Sequence, residues 1–178
     1  MKFSTRQDIG LPASELFQAI TRFRDLERML QRRRATVRRQ DAMAPPDVGA
    51  SWMIGFRWRG RDRELDMALS RLEAPEVMAF EGGSDQFGIA LRMTVVALTP
   101  RKSRLICETE VVPRGVAARL ILQTARLGKG QLDRKYAHQV ADLLDKLTAT
   151  GRPDPGFSPI PQVIGMARAC AARSGSAG

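Results

Sequence analysis

Between Phe3 and Val111 apolar side chains recur mostly at every second position, and from Gly115 to Leu147 they recur every three or four. A period of two marks strands with one buried face, and a period near 3.6 marks an amphipathic helix. Phe3, Thr5, Gln7 and Ile9 alternate with polar neighbours and predict a first strand ending at Gly10. Pro12 suits a first helical turn, and Leu16, Phe17 and Ile20 follow at helical spacing, which predicts a short helix over residues 12 to 21. Leu26, Met29 and Leu30 supply the apolar side of a second short helix.

From Ala35 the period returns to two. Val37 opens a second strand, and after the loop carrying Pro45-Pro46-Asp47 the residues Trp52, Ile54, Phe56 and Trp58 share one face of a third. Arg59-Gly60-Arg61 turns the chain into a strand with Leu65, Met67 and Leu69 on one side and Glu64, Asp66 and Ser70 on the other. Met78 and Phe80 fill a short strand that stops at Gly82-Gly83, Phe87 to Val95 alternate through the next, and Leu105, Cys107, Thr109 and Val111 form the inward face of the last. The short connections exclude parallel crossovers, so the strands make an antiparallel sheet of about seven.

One large apolar sheet face needs a cover, and Gly115 to Leu147 is long enough to supply it, spanning roughly 50 Å at about 1.5 Å per residue. Its stripe runs through Ala117, Ile121, Ala125, Gly128, Leu132, Tyr136, Val140, Leu143 and Leu147, widened by Val116, Leu120, Thr124 and Leu127. Gly128 and Gly130 interrupt it and predict a bend. The expected fold class is α+β: a curved antiparallel sheet wrapped around a long C-terminal helix, with two short helices after the first strand.

Three segments carry a family resemblance. Phe3 to Ile9 followed by Leu11-Pro12-Ala13-Ser14-Glu15-Leu16-Phe17 looks like a first strand running into a helix through a Pro-Ala step, an aromatic closing the first turns. Val48-Gly49-Ala50-Ser51-Trp52 looks like the lead into a third strand, and Leu72 to Phe80 places a proline and an acidic residue before a short apolar strand. In these features and in element order, residues 1 to 148 resemble the START-like, or SRPBCC, superfamily, whose members include polyketide cyclase and dehydrase-like proteins, coenzyme Q-binding proteins and lipid-transfer domains. The resemblance implies the helix-grip fold and a pocket between the concave sheet face and the first half of the long helix. Members bind sterols, quinones, phospholipids, polyketides and plant hormones, and only some are enzymes, so no catalytic motif carries over.

The residues expected to line that pocket are Trp52, Ile54, Phe56, Met67, Ile89, Leu91, Met93 and Leu105 on the sheet, facing Leu120, Thr124 and Leu127 on the helix. Cys107, Thr109, Thr124 and Gln131 are the polar groups nearest the interior, suited to orienting a ligand in a mostly apolar site, or to satisfying one another. Arg92 is expected outside, because Leu91 and Met93 claim the inner face. The single histidine, His138, lies opposite the stripe and faces solvent; Glu64 and Asp66 read as a solvated strand face. Two distant cysteines, Cys107 and Cys170, have neither disulfide nor metal-ligand spacing, so no metal, cofactor or catalytic residue is expected.

Charge adds a second candidate surface. The chain of 178 residues carries a net charge of +10, and eight arginines between Arg22 and Arg39 face only Asp25 and Glu27. The bland account is a solvated basic face reflecting an arginine-rich chain. The functional account is peripheral contact with an anionic membrane or acidic partner through Arg22, Arg28, Arg32, Arg33 and Arg34, nucleic acid being the less expected partner. No run of about 18 uncharged apolar residues and no apolar leader follow Met1, which predicts a cytoplasmic protein. Beyond Thr148, Gly151-Arg152-Pro153-Asp154-Pro155-Gly156 and Pro159-Ile160-Pro161 predict a Pro/Gly/Ala-rich tail over 149 to 178, largely disordered or carrying a short docked helix.

The leading expectation is binding or transport of a hydrophobic small molecule: a lipid, a quinone or a polyketide-like compound. The alternatives are a cyclase or dehydratase using the same pocket, and an interaction module using the basic face and the tail.

Overall fold

The structure, a computed structural model, describes residues 1–149 except Arg33, Met43 and Arg59, and only the backbone of Trp58. The tail expected from residue 149 lies outside the described residues apart from Ala149 itself.

The chain runs β1 (Lys2–Ile9), α1 (Ala13–Ile20), α2 (Phe23–Arg32), β2 (Thr36–Arg39), β3 (Ser51–Trp58), β4 (Arg61–Glu73), β5 (Val77–Gly83), β6 (Phe87–Thr99), β7 (Lys102–Pro113), α3 (Val116–Leu127) and α4 (Lys129–Thr148). The strands form one seven-stranded sheet in the order β1-β7-β6-β5-β4-β3-β2, antiparallel throughout. β2 to β7 form a meander. β1 instead pairs with the last strand, Lys2 opposite Glu110 and Ile9 opposite Ser103. Register shifts between Leu69 and Arg71 and between Ala97 and Thr99 add local bends to the long strands.

β1, β4 and β7 bury the faces that alternation assigned to them. Leu65, Met67 and Leu69 are buried on β4, and Leu105, Cys107, Thr109 and Val111 on β7, while Glu64, Asp66, Ser70 and Arg92 are exposed. Against this face α1 sets Leu16, Phe17 and Ile20, and α4 sets Leu132, Tyr136, Val140, Leu144 and Leu147. Burying each large apolar side chain contributes about 1.5 to 3 kcal/mol, so this layer of sheet, α1 and α4 carries most of the stability.

The expected single helix is two. Gly128 closes α3 and opens α4: its N–H reaches back to the Ala125 carbonyl at 3.1 Å, and its own carbonyl accepts from Gln131 and Leu132. A Cβ at Gly128 would meet only the Ala125 carbonyl oxygen, at 3.9 Å, so no close approach of the sheet imposes the break, which fits glycine's weak helix preference.

Candidate ligand-binding site

Among the described residues two cavities stand out on the concave face. The larger, about 630 Å³, lies under α3. Its floor is Phe3, Phe56, Leu65, Ile89 and Val111, and its cover is Ile121, Leu122 and Ala125. Asp62, Glu64, Asp66, Asp85 and Arg114 are exposed and bring charge to its lining. One wall is bare backbone, because β5 crosses β4 so tightly that a Cβ at Gly82 would stand 1.9 Å from the Asp66 carbonyl oxygen. The next residue, Gly83, has φ +149 and an equally crowded Cβ position, 2.1 Å from the Phe87 carbonyl oxygen.

The smaller cavity, about 190 Å³, lies under α2. Phe23, Leu26, Met29 and Leu30 cover it, Trp52, Ile54, Met67, Phe80, Leu91 and Met93 form its sheet wall, and Leu143 of α4 closes the side. Among the described residues Glu27 is the one ionisable group in its lining, and its carboxylate accepts a 2.6 Å hydrogen bond from the Trp52 indole N–H. The Trp52 ring packs against Phe23 and Phe80, with centroids 5.5 and 5.9 Å away. The Arg39 guanidinium lies 5.0 Å from its centroid.

Both cavities rest on the same strand faces. On β3 Trp52 and Ile54 line the smaller and Phe56 the larger; on β6 Leu91 and Met93 line the smaller and Ile89 the larger. Seven of the residues predicted from sequence are thus brought to cavity walls, Met67 being the seventh.

The others lie elsewhere. Leu105, Cys107 and Thr109 are buried and line neither cavity, and Tyr136 of α4 packs on Cys107 and Thr109. The Tyr136 hydroxyl donates to the Cys107 sulfur at 3.1 Å and lies 2.8 Å from the Thr109 hydroxyl. Burial pushes the Cys107 thiol up to about 11 and the Tyr136 phenol well above its ordinary value, so both stay neutral. The cluster satisfies its own polar groups and is part of the core. Leu120, Thr124, Leu127 and Gln131 turn away from the sheet: Leu120 and Leu127 are exposed, and the Thr124 hydroxyl bonds its own helix at the Leu120 carbonyl. The expected helical wall is corrected accordingly. α3 is apolar on two faces, and the face that meets the sheet carries Ala118 and Ala125, whose small side chains permit close packing, beside Ile121 and Leu122.

Sequence reasoning passed over the cover of the smaller cavity, Phe23, Leu26, Met29 and Leu30, and the floor residues Phe3 and Val111. The signal was present, since Phe3 and Val111 sit at inward positions of β1 and β7. The apolar side of α2 was read from spacing, but nothing in the spacing set it over a cavity; Arg24, Arg28 and Arg32 on its other side are exposed, Arg28 standing 3.7 Å from Asp25. Arg22 and Arg34 are exposed as well, and Arg33 lies outside the described residues. His138 is exposed beside Asp142 at 3.9 Å. Among the described residues no three His, Cys, Asp or Glu side chains converge as a metal site, and no helix is long and apolar enough to cross a membrane.

No family model and no curated protein sequence matches the chain. Solved structures do match in shape. The Zhui aromatase/cyclase from Streptomyces sp. R1128 superposes with a TM-score of 0.60 at 11% identity, over 88% of this chain and 99% of that one. A protein from Thermus thermophilus gives 0.63 at 8% identity, over 85% and 100%. Norcoclaurine synthase from Thalictrum flavum, in complex with dopamine and hydroxybenzaldehyde, gives 0.61 at 10%, over 86% and 89%. These likenesses show the fold: a seven-stranded antiparallel sheet with two helices after β1 and a long C-terminal helix, the helix-grip fold.

Proposed function

We propose that this protein binds and carries a hydrophobic small molecule, of lipid, quinone or polyketide-like character, on the concave face of its sheet. The observation that carries the reading is the pair of cavities set side by side on that face. The larger, about 630 Å³, falls in the range of roughly 300 to 1,000 Å³ usual for small-molecule sites. Its apolar floor and charged edge suit a ligand with a polar end, whose apolar part extends toward Trp52, Leu91 and Met93. Carriage is favoured over catalysis because the groups with strongly raised pKa values, Cys107 and Tyr136, are buried in the core and line neither cavity.

The test is native purification followed by organic extraction and mass spectrometry, together with displacement of a solvatochromic apolar dye. Ile89→Trp, which fills the larger cavity, and Leu91→Trp, which fills the smaller, should each weaken dye binding about tenfold or more. Dye binding unchanged in both folded variants, with no co-purifying lipid, would refute the reading.

A further inference from the structure

Among the described residues seven large hydrophobic side chains are exposed, and three of them, Val116, Leu120 and Leu127 at 75%, 59% and 89%, belong to one helix, α3. At 100° per residue they fall within about 40° of one another, on the side opposite Ala118, Ile121 and Ala125. This second apolar stripe has no partner within the described fold.

Its surroundings say what covers it. From Val111 to Leu132 the sequence contains no aspartate or glutamate, while Arg114, Arg119 and Arg126 are exposed beside the stripe. Lys129 is set aside, because Asp133 holds it at 2.7 Å. A second copy pairing through the same face would bring like-charged arginines together. The segment 150 to 178 fits no better, carrying Arg152, Arg168 and Arg173 against Asp154 alone. An anionic lipid surface meets both requirements, apolar acyl chains for the stripe and phosphates for the arginines.

We infer that α3 is an interfacial helix that docks on anionic phospholipid bilayers, with Val116, Leu120 and Leu127 among the acyl chains and Arg119 and Arg126 at the headgroups. The docking stands on the outer face of α3 and is independent of what the cavities hold. Its geometric consequence is that the helix covering the larger cavity lies at the membrane.

The full chain is sedimented with vesicles of phosphatidylcholine alone and of phosphatidylcholine rich in phosphatidylserine. Pelleting with the anionic vesicles only is expected. Leu120→Asp with Leu127→Asp, both at exposed positions, should lower partitioning about tenfold or more while leaving circular dichroism unchanged. Arg119→Glu with Arg126→Glu should lower it as well, and Arg24→Glu with Arg28→Glu on α2 should leave it within about twofold. Failure to pellet, full pelleting of the leucine pair, or loss through the α2 pair alone overturns the proposal. So does a dimer in vesicle-free buffer that the leucine pair dissolves, which assigns the stripe to a second copy. A disulfide from Leu127→Cys to Cys170 assigns it to the C-terminal segment and overturns the proposal equally.

Discussion

The Trp52 indole N–H donates a 2.6 Å hydrogen bond to the Glu27 carboxylate, and through that bond the sheet holds α2 over the smaller cavity. Glu27→Ala leaves the N–H of the buried Trp52 ring without its partner and loosens the cover, so it should cost about 1 to 3 kcal/mol. Glu27→Gln keeps an acceptor and should cost less than half as much. Urea unfolding followed by tryptophan fluorescence measures both.

Tyr136, Thr109 and Cys107 form one buried polar unit. Tyr136→Phe leaves the Thr109 hydroxyl without its partner and should destabilise the fold by about 1 to 3 kcal/mol. Adding Thr109→Val removes the stranded group, so the double variant should be more stable than the sum of the single changes implies. A double-mutant cycle by chemical denaturation reads the coupling.

The same cluster sets an alkaline limit. Burial raises the Cys107 thiol from an ordinary value near 9 to about 11, so the folded chain holds its proton more tightly than the unfolded chain does. The contribution is complete below about pH 9 and declines as pH rises toward 11, by about 2 kcal/mol over that window. Cys107→Ser should flatten this decline in a pH series of denaturation midpoints. Iodoacetamide should leave Cys107 unmodified at pH 8 in the native protein and modify it in urea.

Two glycines should respond in opposite directions. Gly130→Ala adds a Cβ into open space in α4 and should stabilise by about 0.5 to 1 kcal/mol. Gly82→Ala drives a Cβ into the Asp66 carbonyl and should cost about 3 kcal/mol or more, with dye binding lost as the wall of the larger cavity shifts. Thermal melts of the two variants separate these outcomes.

The strands were legible because one face of each is buried: Trp52, Ile54 and Phe56, or Leu65, Met67 and Leu69, can alternate only one way once the sheet has an inside. That is why seven wall residues could be named from sequence. The helical wall was not legible, since α3 offers Val116, Leu120 and Leu127 on one side and Ala118, Ile121 and Ala125 on the other, and size favours the wrong side. The closure of Thr109 and Cys107 depends on Tyr136, which reaches them only after α4 crosses β1 and β7, with the Tyr136 and Phe3 rings 5.8 Å apart. No pattern along the chain encodes a contact of that kind.

The pairing of β1 with β7 has a consequence for biosynthesis. Partners such as Phe3 and Thr109 are about a hundred residues apart, so β1 leaves the ribosome long before the strand that completes it. Until Pro113 has emerged, β6 presents an unpaired edge and Phe3 has no interior to enter. The sheet is therefore expected to close in one late cooperative event after all seven strands are made. Nascent chains arrested before β7 should be cut readily by protease, with resistance appearing abruptly once β7 and α4 are outside the tunnel.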